Sequence, residues 1–134
     1  MVIKTDSSGV HQWSKAYGGA NFDLGNDIRE TANGFAIAAY TNSFGAGNYD
    51  AYVITTDASG NVQWSICYGD TAVDWANSIG ATADGGYIIG GQTSATGSSN
   101  ADFYLIKCDA SGFTGCNQMN VTSVVTTLST TEAS

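Results

Sequence analysis

Tyr52–Trp64 reads YVITTDASGNVQW. An apolar run (Tyr52, Val53, Ile54) leads into Asp57-Ala58-Ser59-Gly60, and a second run closes on Val62 and Trp64. Asp can accept hydrogen bonds from its own backbone at a turn, and Gly takes the positive-φ position that ends it. The stretch therefore predicts a tight β-hairpin. The same hairpin occurs twice more. Residues 2–13 read VIKTDSSGVHQW, and residues 105–116 read LIKCDASGFTGC, with Cys116 at the tryptophan position. Three copies with a period of about 51 residues define a repeat architecture.

Outward from the hairpin, residues 2–52 align on 53–104 with one extra glycine in the second copy, and nearly half of the pairs are identical. After Trp13 or Trp64 each unit reaches Tyr17-Gly18 or Tyr68-Gly69, and then a loop with Asp23 or Asp74. A strand around Ile28 or Ile79 closes at Thr31-Ala32-Asn33-Gly34 or Thr82-Ala83-Asp84-Gly85, a second hairpin turn. FAIAAYT (35–41) or YIIGGQT (87–93) follows, small and apolar enough to be buried on both faces. Four short strands per unit predict an all-β fold of β-propeller-type blades, each a four-stranded antiparallel sheet, with about two and a half blades in the chain. The expected units are an orphan half-blade hairpin over 1–19, blade one over 20–70, blade two over 71–117, and a Thr/Ser/Val-rich tail over 118–134. Blade two is expected to lack its fourth strand, which FTGCNQMNV (113–121) replaces.

Composition agrees. Gly 17 with Pro 0 suits short strands joined by glycine turns. Twelve acidic residues against four basic ones give a net charge of −8, which argues against nucleic acid or an anionic membrane as partner. No apolar run is long enough for a transmembrane helix. Lys4 and Asp6 interrupt the only apolar start, so no signal peptide is read there. Met1-Val2-Ile3 begins in mid-repeat, which suggests a fragment, a processed product, or a protomer completed by another molecule.

The units IKTDSSGVHQWSKAYGG, TADGGYIIGGQT and DFYLIKCDASG resemble the repeats of secreted bacterial β-propeller proteins of the Bacteroidetes type. The succession Gly115-Cys116-Asn117 and then VTSVVTTLSTT (121–131) is similar to the junction and Thr/Ser/Val-rich segment that follow such repeats. That resemblance implies an extracellular or cell-surface protein. The hairpin also resembles the Leu-Asp-x-x-Thr-Gly-x-x-x-Trp turn of quinoprotein-type propellers, where the Trp docks between blades. Carried over, that role falls to Trp13 and Trp64. Tyr17, Tyr68, Tyr52 and Tyr104, at repeat positions, are expected to pack the blades with them.

An unfinished ring leaves strand edges and apolar faces uncovered, and both recruit other chains. Val121, Val124, Val125 and Leu128 among β-favouring threonines suit a strand added to a sheet edge. The expected function is therefore structural: self-association into an oligomer or extracellular fibre, with the tail or the hairpin 2–17 of one chain completing a sheet in the next. A glycan- or surface-ligand-binding module using loops 42–50 and 94–102 is the alternative, and a fragment of a larger secreted propeller the third reading.

No catalytic constellation, metal-ligand set or cofactor motif occurs, so no enzyme activity is expected. His11 is the lone histidine and occupies a plain strand position that is Val62 in the second copy. Asp50, Asp102, Asp23 and Asp74 could offer oxygens to calcium, but the favoured role is to cap turns. Cys108 and Cys116 flank the third hairpin turn and are a disulfide candidate. Cys67 is read as a small core residue that could instead pair with either. Asn120-Val121-Thr122 is an N-glycosylation sequon, and Thr71 in Asp70-Thr71-Ala72 an O-glycosylation candidate by resemblance to a Bacteroidetes signal.

Overall fold

A computed structural model describes residues 1–94, 100–116 and 118–129. Among these there is no helix, and the chain is all-β. The strands are β1 (Val2–Thr5), β2 (His11–Gly18), β3 (Asp23–Thr31), β4 (Gly34–Thr41), β5 (Asp50–Asp57), β6 (Val62–Tyr68), β7 (Val73–Ala81), β8 (Tyr87–Ser94), β9 (Asp102–Cys108), β10 (Gln118–Asn120) and β11 (Val124–Thr127). They form three antiparallel sheets: a first of order β1-β2-β11, a middle one of order β10-β6-β5-β4-β3, and a last one of order β7-β8-β9. No barrel closes among the described residues.

The repeat dictates the hairpins. Asp6, Asp57 and Asp109 each accept two backbone N–H groups on one side-chain oxygen: Ser8 and Val10, Ser59 and Asn61, Ser111 and Phe113, all at 2.8–2.9 Å. The glycine that ends each turn has φ of 82° (Gly9), 75° (Gly60) and 83° (Gly112), in the left-handed region that glycine enters without Cβ strain. Residues 23–68 thus make the antiparallel strands β3–β6, but no sheet has the four strands expected of a blade: β10 adds a fifth to this one, and the other two have three each. Among the described residues no strand lies on the outer side of β9.

The middle sheet is covered on both faces, so β5 is buried along almost its whole length. On one face Ala36, Ala38, Ala51 and Val53 pack with Ala76, Ile79, Ile89 and Ile106 of the last sheet. On the other, Ile37, Ala39, Tyr52, Ile54 and Cys67 pack with Val2 and Tyr17 of the first sheet. Small residues on β4 let the sheets approach, while buried isoleucines and tyrosines each contribute about 1.5–3 kcal/mol of transfer free energy.

The tail forms two strands, and both pair within their own chain. β10 lies on β6 (Met119 opposite Cys67), and β11 on β2 (Val125 opposite Tyr17). Within one chain, the tail covers the outer edges of the middle and first sheets. Two equivalent serines fix it. Ser65 accepts from Val121 N–H (3.1 Å) and donates its hydroxyl to Val121 O (2.8 Å). Ser14 does the same with Leu128 (3.0 and 3.1 Å). Ser14 and Ser65 occupy the same repeat position, so one strap grips two successive units in the same way. Residues 130–134 of the expected tail lie outside the described residues.

Candidate functional site

The repeated feature is the seam between successive sheets. Trp13 donates its indole N–H to Ala58 O (3.2 Å), and Tyr17 its hydroxyl to Gly60 O (2.7 Å), so both from β2 seize the turn after β5. One unit later, Trp64 donates to Ala110 O (3.0 Å) and Tyr68 to Gly112 O (2.6 Å). The rings repeat as well: Trp13 meets Phe35 edge-on at 5.8 Å, and Trp64 meets Tyr87 at 5.7 Å. Trp and Tyr four residues apart on one strand face the same side, because side chains alternate with period two. Trp13 and Trp64 thus each reach from one sheet to the turn of the next. Lys15 adds a contact that the second unit lacks, donating to Ser59 O (2.7 Å) and Asn61 Oδ1 (2.8 Å).

Burial shows how tightly these seams close. Desolvation raises the Tyr17 hydroxyl from 10.0 to about 12, with the Asp57 carboxylate adding to it. Burial likewise pushes Tyr104 up to about 12 and lifts Tyr68 well above its ordinary value. Tyr52, 1% exposed, is also raised to about 12 by burial, and hydrogen-bonds Ser123 of the tail. All six aromatic packing residues therefore lie at seams or in the core.

The carboxylates are engaged by backbone amides. Asp23 accepts from Gly19 N–H (2.9 Å), Asp74 from Asp70 N–H (3.1 Å), and Asp50 from Ala46 and Gly47 N–H (3.3 and 3.1 Å). Asp102 is exposed at the start of β9. His11 contacts the Ser14 hydroxyl at 3.2 Å.

The cysteines correct one expectation. Cys67, Cys108 and Cys116 are all free, the first two buried and the third exposed. Cys108 and Cys116 do not meet because residues 113–116 form no strand beside β9, so the opposition assumed across the third hairpin is missing. Burial raises the Cys67 thiol to about 12 and the Cys108 thiol above its usual value. Asn120 is exposed on β10, and Thr71 is exposed in a turn where Asp70 accepts from Ala72 N–H (2.7 Å). Of loop 94–102, residues 95–99 lie outside the described residues, as does Asn117 of the Gly-Cys-Asn junction.

What sequence reading missed is the asymmetry of the outer sheets. Along β9, Tyr104, Ile106 and Cys108 face the middle sheet, while Phe103 and Leu105 on the far face are 76% and 55% exposed. Their counterparts in the middle sheet, Ala51 and Val53, are fully buried. On β1, Val2 faces inward and Ile3 is 52% exposed, whereas its counterpart Ile54 is 2% exposed. Each end sheet thus bares the face that the middle sheet hides. The signal was present in the aligned units, since Phe103 and Leu105 replace Ala51 and Val53.

A second group outside the repeat is aromatic: Tyr40 stacks on Trp75 at 4.9 Å, with Tyr49 and Phe22 edge-on or tilted around them. Fold and seams define an all-β repeat protein. No family model matches the chain, and neither a curated protein nor a solved structure matches it significantly.

Proposed function

We propose that this protein is a structural, extracellular repeat subunit of β-propeller-type blades that associates with other copies of itself through its end sheets. One observation carries the reading: the two bare faces are the two halves of the interface that joins sheets within the chain. The Leu105 face of the last sheet corresponds to the Val53 face that packs against a following sheet. The Ile3 face of the first sheet corresponds to the Ile54 face that receives a preceding one. Opposite halves at opposite ends give head-to-tail contacts, which form a ring if the rotation closes and a filament if it does not. Exposed Phe103, Leu105 and Ile88 supply the apolar area such a contact buries. With the tail strapped in cis, association runs through sheet faces rather than through exchange of residues 118–129. Electron microscopy of the purified chain tests this: rings or filaments support it, and discrete single particles at all concentrations refute it.

The second reading, a glycan-binding module, is favoured by the Phe22/Tyr40/Tyr49/Trp75 group beside loop 42–50, where Phe22 is 51% exposed. One exposed ring, Phe22, and three half-buried ones, with Asn21 and Asn42 beside them, suit sugars. Quenching or enhancement of Trp fluorescence across a glycan panel tests it; no response to any sugar removes it.

A further inference from the structure

β1 stands at the end of its sheet, with one side paired to β2 and the other side open among the described residues. Beside that open side runs a groove. Its floor is the face of the middle sheet that the short first sheet does not reach, and it comprises cavities of about 470, 250 and 100 Å³. Val2 lines all three, with Ile28, Phe35, Gly25 and Ile37 along the floor.

The two other units show what belongs there. β5 has β4 on the corresponding side, paired Ala38↔Val53, Ile37↔Ile54 and Ala36↔Thr55. β9 has β8 there, paired Gly90↔Leu105, Ile89↔Ile106 and Ile88↔Lys107. Transposed onto β1, the positions are Val2, Ile3 and Lys4. A strand there places a small residue opposite Val2, an isoleucine opposite Ile3, and an alanine or isoleucine opposite Lys4. The residue opposite Val2 shares Val2's face, toward Ile37 and Ala39 of the middle sheet, where only a small side chain leaves room for sheet packing.

We infer that this groove is a β-strand acceptor. It takes an extended segment of Phe/Tyr-x-Ile-small-small chemistry, antiparallel to β1, by adding a strand to the sheet edge. The backbone N–H and C=O groups on the open side of β1 give affinity, and the floor gives selectivity for small side chains. The occupant is a strand of that chemistry from another polypeptide, because the two segments of this pattern among the described residues, β4 and β8, are each paired on both sides. The site stands independently of the face-to-face association proposed above, which uses Leu105 and the far face of β1.

The test uses the intact protein and a capped peptide of the β4 sequence, GFAIAAYT. Backbone hydrogen exchange locates binding, and Trp13, which lines the cavity of about 470 Å³, reports it by fluorescence. The expected result is slowed exchange confined to β1 and a saturable Trp13 change. A peptide with Lys at the Ala38 position, which lies opposite Val2 and faces the floor, should bind at least tenfold more weakly. Ile28→Lys in the protein, at a position already 41% exposed, should weaken binding at least tenfold, while Phe103→Lys on the last sheet should leave it unchanged. Protection at β3 or β9 instead of β1, equal binding by Ile28→Lys, or no binding at about 1 mM peptide would each overturn the inference.

Discussion

Gly9, Gly60 and Gly112 end three copies of one turn with nearly the same φ, yet only the last two lie under aromatic pegs. A Cβ at Gly9 meets nothing within 4 Å. At Gly60 it would lie 2.8 Å from the Tyr17 hydroxyl and 2.9 Å from the Trp13 ring. Gly9→Ala therefore carries only the cost of a side chain in the left-handed region, about 1–2 kcal/mol. Gly60→Ala carries the same cost plus displacement of Trp13 and Tyr17, and overpacking of that kind costs about 1–3 kcal/mol more. The difference between the variants isolates the docking contact, since backbone strain cancels. Urea unfolding followed by tryptophan fluorescence should place Gly60→Ala about 1–3 kcal/mol below Gly9→Ala. Equal losses in the two variants would mean that the pegs contribute nothing, and the seam would not be the unit of cohesion.

Three further outcomes follow from the geometry. In the native protein a thiol reagent should label Cys116 alone, with Cys67 and Cys108 reacting only on unfolding; fast labelling of two or more thiols contradicts the burial described. Because the folded Tyr17 hydroxyl is raised from 10.0 to about 12, the unfolded chain loses its proton first. Its contribution is complete below pH 10 and is lost as pH rises toward 12. Tyr17→Phe should flatten that part of the stability profile and cost about 1 kcal/mol at pH 7 from the missing hydrogen bond to Gly60 O; an unchanged alkaline slope refutes the assignment. Deleting residues 118–134 should speed amide exchange in Lys15–Gly18 and Ile66–Tyr68, which β11 and β10 cover; unchanged protection there would mean the strap does not hold.

Strands β3–β6 of the middle sheet were legible because each local signal agreed with the repeat: Asp-x-x-Gly turns, apolar runs between them, and Trp13 and Trp64 at equal offsets. A docking role for Trp13 and Trp64 was implied by the resemblance of the hairpin to quinoprotein-type propellers and not by the spacing of the repeat. The disulfide expectation failed because hairpin opposition was extended to a third copy whose return strand does not form. The destination of the tail was hidden for another reason. Val124 and Val125 announce a strand, but which edge they join depends on Ser14 and Ser65, more than fifty residues away in sequence and identical for repeat reasons alone. The bare end faces were legible in part: the aligned units put Phe103 and Leu105 in place of Ala51 and Val53, but that these side chains lie uncovered follows only from burial.

Sedimentation velocity on the 13.8 kDa chain and on Leu105→Lys, across a wide concentration range, probes the end-face contact most directly. The unmodified chain is predicted to grow into larger species as concentration rises, and Leu105→Lys to remain a folded monomer. A single monomeric boundary for both proteins at every concentration would contradict it.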